Sequence, residues 1–177
     1  MRRLADIDLL GDGGIQRHMA QWSLVVLVGG SLLGILAIVA FPHEQIGPLW
    51  FLVLLLVSIL VLPIHELIHA CAFGLFSGFS SHIRFGIANF MLYTTAEGLM
   101  LTRHRFCAVL LAPATIITVA TLGICAAMGL PVLGWFAAVI HLAGCTGDFA
   151  LAHIIMRDHF TTHVEDTSYG VALFHDE

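Results

Sequence analysis

Long apolar stretches alternate with short polar ones along this chain, and that alternation sets the elements. A membrane-spanning helix needs about 20 mostly apolar residues, and four segments qualify: residues 22–41, 49–76, 106–130 and 132–156. The first and third carry no charged side chain. Pro42-His43-Glu44 and Gly47-Pro48 break the chain between the first two. Gly129-Leu130-Pro131 leaves room only for a tight turn between the last two, so they are expected to form an antiparallel helix hairpin. The loop at residues 77–105 is too long for a simple turn and mixes β-branched with aromatic residues. It predicts a β-hairpin or a partly membrane-dipping sheet, with strands over His82–Ile87 and Phe90–Ala96 and a turn at Gly86 and Ala88-Asn89. A short polar tail occupies residues 157–177. The expected fold class is therefore an all-α integral membrane protein. Its four transmembrane helices form a single polytopic domain, with a small β-hairpin-like loop between the second and third.

Composition strengthens this reading. Of the 177 residues, 59% are hydrophobic and 11% charged, whereas a soluble domain carries about 25% charged residues. Much of the surface must therefore need no water, and a lipid bilayer is the expected partner. A formal net charge of −5 and the lack of a basic cluster argue against a nucleic-acid partner. All seven basic residues are arginine. Arg2, Arg3 and Arg17 precede the first span, Arg84, Arg103 and Arg105 lie between the second and third, and Arg157 follows the fourth. Short cytoplasmic loops collect positive charge, so four spans place every arginine on the cytoplasmic side together with both termini. Arginines ahead of an apolar run resemble a signal peptide, but the run is long enough to span and no clear A-x-A site follows it; a retained signal anchor is expected. Cys71, Cys107, Cys125 and Cys145 all lie in apolar stretches without a C-x-x-C pair and read as small buried hydrophobes in reduced form.

One short segment is out of place against this background. From Leu49 to Phe76 the only charged or imidazole side chains are His65, Glu66 and His69, within "IHELIHA". On a helix, residues four apart share a face, so the two imidazoles of an H-E-x-x-H motif can converge on one metal ion, with the glutamate beside it to take a proton from water. Ionisable groups inside a span are costly and usually functional or paired; the bland alternative is a polar cluster hydrogen-bonded between helices. A catalytic zinc wants three protein ligands and one open position. Asp148, in "HLAGCTGDFALAH", is the candidate third ligand. His65 and Asp148 each lie 16 residues into spans that run the same way, which puts both about 24 Å from the outer end at about 1.5 Å per residue. His141, seven residues before Asp148, is expected on nearly the same helix face. It is a candidate fourth ligand, a supporting hydrogen-bond partner or, the favoured role, a catalytic donor to a reacting oxyanion or to substrate.

HELIHA inside a span, followed by an aspartate after a glycine in a later span, resembles the site-2 protease class of intramembrane zinc peptidases. A closer resemblance is to a family of small bacterial membrane proteins called putative zincin peptidases. It covers the chain from about Leu49 to the tail, through "HELIHA", "FGIANFMLYTTAEGLMLTRHRFCAVLLAP", "HLAGCTGD" and "VEDTSYGV". The resemblance implies Zn2+ held by His65, His69 and Asp148, with Glu66 catalytic, in a multi-pass protein of the bacterial plasma membrane. The chain departs from the site-2 pattern, which has an asparagine before the aspartate and L-D-G around it, in carrying His141 and Gly147-Asp148-Phe149.

The expected function is intramembrane zinc metalloproteolysis of a membrane-embedded or membrane-proximal protein or peptide. Glu66 acts as general base and a zinc-activated water as nucleophile. A substrate helix must unwind before cleavage, and the strand-like segment His82–Ala96 is suited to hold it as an added strand. Two other classes compete. One is a catalytically inactive zinc-binding membrane protein that acts through partners, for which Glu66→Gln would be silent. The other is a metal transporter, for which a glutamate next to the first histidine has no particular use.

Overall fold

The computed structural model describes residues 1–9, 11–79, 82–88 and 91–176. Among these the order of elements is β1 (Arg2–Asp8), α1 (Gly13–Ala40), α2 (Pro48–Ser77), β2 (Arg84–Ala88), β3 (Met91–Thr95), β4 (Met100–Thr102), α3 (Arg103–Ala127), α4 (Pro131–Gly144), α5 (Thr146–Arg157), β5 (His163–Asp166) and β6 (Gly170–His175). Three of the described helices, α1, α2 and α3, are long and apolar enough to cross a membrane, and α4 with α5 makes a fourth crossing if that bent pair is one span. Large apolar side chains stand exposed along them, among them Leu32, Leu33, Leu55, Leu56, Val119 and Ile124. Such a surface is unstable in water and matches a bilayer.

The structure corrects three expectations, the first being the burial of Cys71, which stands exposed on α2. The chain is mostly helical but not all-α, because it holds a four-stranded and a two-stranded sheet. The fourth apolar stretch is also not one straight helix: α4 ends at Gly144, and α5 leaves it bent by 54°. Gly144-Cys145-Thr146-Gly147 is poor helix-forming sequence, and hydropathy does not register such a break. His141 and Asp148 therefore lie on different helices, and their seven-residue spacing does not put them on one face.

The chain divides into two compact units. The first comprises Met1–Met19, Glu66–Pro113 and Gly147–Glu177. Its larger sheet is antiparallel in the order β1-β6-β5-β4. Ile7, Leu101, Val164, Val171 and Leu173 of this sheet pack with Phe73 of α2, Phe106 and Val109 of α3, and Leu151 and Ile155 of α5 in one buried cluster. Gly170 opens β6 where β1 passes so closely that a Cβ would collide with the Ile7 carbonyl oxygen. The smaller sheet pairs β2 with β3, Ile87 opposite Leu92. This is the hairpin expected between the second and third spans, and its connecting Asn89 and Phe90 lie outside the described residues.

The second unit comprises Ala20–His65 and Ala114–Thr146. Its helices close on small residues: a Cβ on Gly30 or Gly34 of α1 would strike Val139 or Phe136 of α4. Trp135 Nε1 donates to the Gly30 carbonyl at 2.9 Å. The tight turn is as expected. Gly129 has φ +76°, Leu130 N–H donates to the Cys125 carbonyl at 2.8 Å, and Gly129 N–H donates to that of Ala126 at 3.1 Å, a Schellman end to α3. Pro131 then opens α4. Glu44 covers that helix start: its carboxylate accepts from Val132 N–H at 2.6 Å, from Leu133 N–H at 2.9 Å and from Trp50 Nε1 at 2.6 Å.

Candidate metal centre

In the first unit, α2 carries Glu66 and His69, 9% and 6% exposed. His69 is fixed from both sides of its ring. Nδ1 lies 3.1 Å from the Val109 carbonyl oxygen on α3, to which it donates in the tautomer this contact selects. Nε2 then faces Asp148 Oδ1 at 3.4 Å. A metal-binding histidine usually gives its other N–H to a carbonyl or carboxylate in this way. Two light-atom ligands at about 2.0–2.1 Å from a tetrahedral zinc lie about 3.4 Å from one another, so the His69–Asp148 separation is one edge of such a site. The helix break contributes here, because Asp148 stands in the first turn of α5, where the helix dipole favours a carboxylate.

Glu66 is held by the hairpin. Thr94 Oγ1 lies 2.8 Å from Glu66 Oε2 and 3.0 Å from the Glu66 carbonyl oxygen, one hydroxyl proton serving both. Strand alternation turns the next residue the other way. The Thr95 hydroxyl donates to Asp166 Oδ2, and the Ala96 N–H donates to the same oxygen at 2.7 Å. Asp166 is 8% exposed. Burial pushes its carboxyl up to about 6, against the opposing pull of the Thr95 and Ala96 hydrogen bonds. Its backbone joins the same junction: Asp166 N–H donates to the Leu99 carbonyl at 3.0 Å and Gly98 N–H donates to the Asp166 carbonyl at 2.9 Å. The C-terminal strand β5 is thus tied to the strand that positions Glu66. Sequence reasoning missed this tie.

In the second unit, His65 Nδ1 lies 3.1 Å from His141 Nε2, the rings edge to face. Cys145 Sγ lies 3.5 Å from His141 Nε2 and 3.8 Å from His65 Nδ1. The three side chains offer ligand atoms within 4.8 Å of one another. Cys145 reads in the sequence as a buried hydrophobe, and it is fully buried. The signal that could have singled it out is its spacing, four residues after His141 and so on the same helix face. Of the expected site residues, then, the structure brings His69 to Asp148, with Glu66 on the same stretch of α2. It sets His65, one helical turn before His69, against His141.

Residues 58–161 match the family model of putative zincin peptidases, more than half of the chain, and the protein belongs to that family. The family implies zinc as the metal and supports a zinc metallopeptidase. No curated protein and no solved structure matches the chain.

Proposed function

We propose that this protein is an intramembrane zinc metallopeptidase, similar to site-2 proteases, in which His65, His69 and Asp148 hold the metal and Glu66 is the general base. The observation that carries the reading is the state of His69: one ring nitrogen committed to the Val109 carbonyl, the other turned to Asp148 at 3.4 Å. His65 adds the second imidazole, one turn earlier on the same helix. When bound, zinc supplies an activated water and polarises the scissile carbonyl. Glu66, oriented by Thr94, takes the proton of the attacking water and returns it to the leaving amine. We assign His141 to orienting His65 through its 3.1 Å contact, in place of the oxyanion role expected from spacing. The β2–β3 hairpin, on which Phe85, Ile87 and Leu92 stand exposed, offers an edge on which an unwound substrate segment pairs.

The sheet supports the topology. β1 lies before α1 and β6 after α5, yet they pair directly, Asp6 opposite Ala172. β4, between α2 and α3, joins the same sheet through β5. Strands of one sheet lie on one side of a membrane, so the crossings between them come in pairs. That favours counting α4 with α5 as one bent span, with both termini on the arginine-rich, cytoplasmic side of a bacterial plasma membrane.

The test compares membranes from cells producing wild type or Glu66→Gln at equal levels, reading new protein N-termini by mass spectrometry and bound zinc on the purified proteins. Equal zinc, with N-termini that appear only with wild type, is expected. Wild-type protein purified without chelators and free of zinc, or identical N-termini in both samples, would refute the reading. Metal flux across vesicles that survives Glu66→Gln would favour a transporter instead.

A further inference from the structure

We propose that His65, His141 and Cys145 form a second zinc-binding set, distinct from the His65–His69–Asp148 set and sharing His65 with it. The proposal goes beyond the peptidase reading, because it rests on Cys145 and on separations measured inside the second unit alone.

The geometry is the argument. Around a tetrahedral zinc with Zn–N near 2.0–2.1 Å and Zn–S near 2.3 Å, nitrogen ligands lie about 3.3 Å apart and nitrogen and sulfur ligands about 3.5 Å apart. The three observed separations are 3.1 Å between the nitrogens and 3.5 and 3.8 Å from sulfur to each. All three sides of the triangle match within a few tenths of an ångström. Two helices supply the set. His141 and Cys145 lie one turn apart at the C-terminal end of α4, and His65 comes from α2. An imidazole–thiolate set of this kind selects zinc over hard cations such as calcium or magnesium.

Binding has a definite proton balance. The Cys145 thiol, 3.2 Å from the His141 carbonyl oxygen, gives up its proton to solvent as sulfur becomes a thiolate ligand. His65 Nδ1 and His141 Nε2 each present a lone pair, so the proton of each neutral ring sits on its other nitrogen. In the peptidase reading, by contrast, His65 Nδ1 keeps its proton for His141 and ligates through Nε2. A neutral imidazole has one lone pair to offer. The two sets therefore compete for His65, and filling one takes that ligand from the other.

Cobalt(II) is the probe, because thiolate ligation gives a near-ultraviolet charge-transfer band that imidazole and carboxylate ligands do not. Full-length His69→Ala/Asp148→Ala protein in detergent, titrated with Co2+, is expected to show that band. Adding Cys145→Ser should remove it and weaken Co2+ binding roughly tenfold or more. If the double variant does not fold, Asp148→Asn, which keeps the side-chain shape, carries the same titration. Co2+ bound without the band, a band that persists after Cys145→Ser, or no binding at all would overturn the proposal. Each of these outcomes leaves the zinc content and cleavage of the wild type untouched. Conversely, a zinc-loaded wild type whose N-termini match those of Glu66→Gln would end the peptidase reading while the band in the double variant stood.

Discussion

The buried carboxyl of Asp166 makes the fold sensitive to pH in a way that one substitution should erase. In the unfolded chain Asp166 titrates near 3.8, and in the folded chain near 6. Between those values the folded protein holds a proton that the unfolded chain has released, so this group's contribution to stability falls as pH rises. The contribution is fully present below about pH 4 and is lost as pH passes 6. A shift of about two units at about 1.36 kcal/mol each makes the loss about 3 kcal/mol. An asparagine at this position would mimic the protonated acid, its amide oxygen still accepting from the Thr95 hydroxyl and the Ala96 N–H. Asp166→Asn should therefore match wild type near pH 4 and exceed it by up to about 3 kcal/mol at pH 8. The assay is reversible unfolding in mixed detergent micelles, followed by circular dichroism from pH 4 to 8. The quantity read is the difference between the two proteins, which cancels groups titrating alike in both. A difference that does not change with pH, or that grows toward acid, would refute the reasoning.

Other consequences follow from particular contacts. Thr94→Val removes the hydroxyl that holds Glu66; cleavage in the N-terminus assay should slow by about tenfold, while bound zinc, measured by mass spectrometry, stays at the wild-type level. Glu44→Ala strips three hydrogen bonds from a charged acceptor at the start of α4 and beside Trp50, and detergent unfolding should show a loss of roughly 3 kcal/mol or more. Ile87→Pro breaks the β2–β3 ladder at the Ile87–Leu92 pair; it should abolish cleavage without reducing bound zinc, and unchanged cleavage would remove the hairpin from substrate binding.

How much of this is legible in the sequence depends on the range of the interactions concerned. The long apolar helix α2, the Gly129–Pro131 turn and the hairpin before α3 are local patterns, and the structure has each of them. Depth arithmetic on a straight helix pairs Asp148 with the motif. It does lie beside His69, although the helix carrying it is bent and begins at Thr146. The bend is hidden because hydropathy is continuous through Cys145 while helix propensity is not. The four-stranded sheet is hidden for another reason: Arg2–Asp8 finds its partner in Gly170–His175, almost the whole chain away, and neither segment alternates strongly enough to announce a strand by itself. Asp166 looks like one carboxylate in a polar tail. Its role appears only when β5 is paired and its side chain is buried against Thr95 and Ala96.

The proposed metal ligands are two imidazoles of α2 and the carboxylate of α5. Zinc-edge X-ray absorption on purified Cys145→Ser protein tests this assignment most directly, because that variant removes the competing thiolate. A shell of nitrogen and oxygen only is expected, at about 2.0–2.1 Å with the scattering pattern of two imidazoles, as is its loss in the further variant His69→Ala. Zinc with fewer than two imidazoles around it, or a shell unchanged without His69, would contradict the assignment.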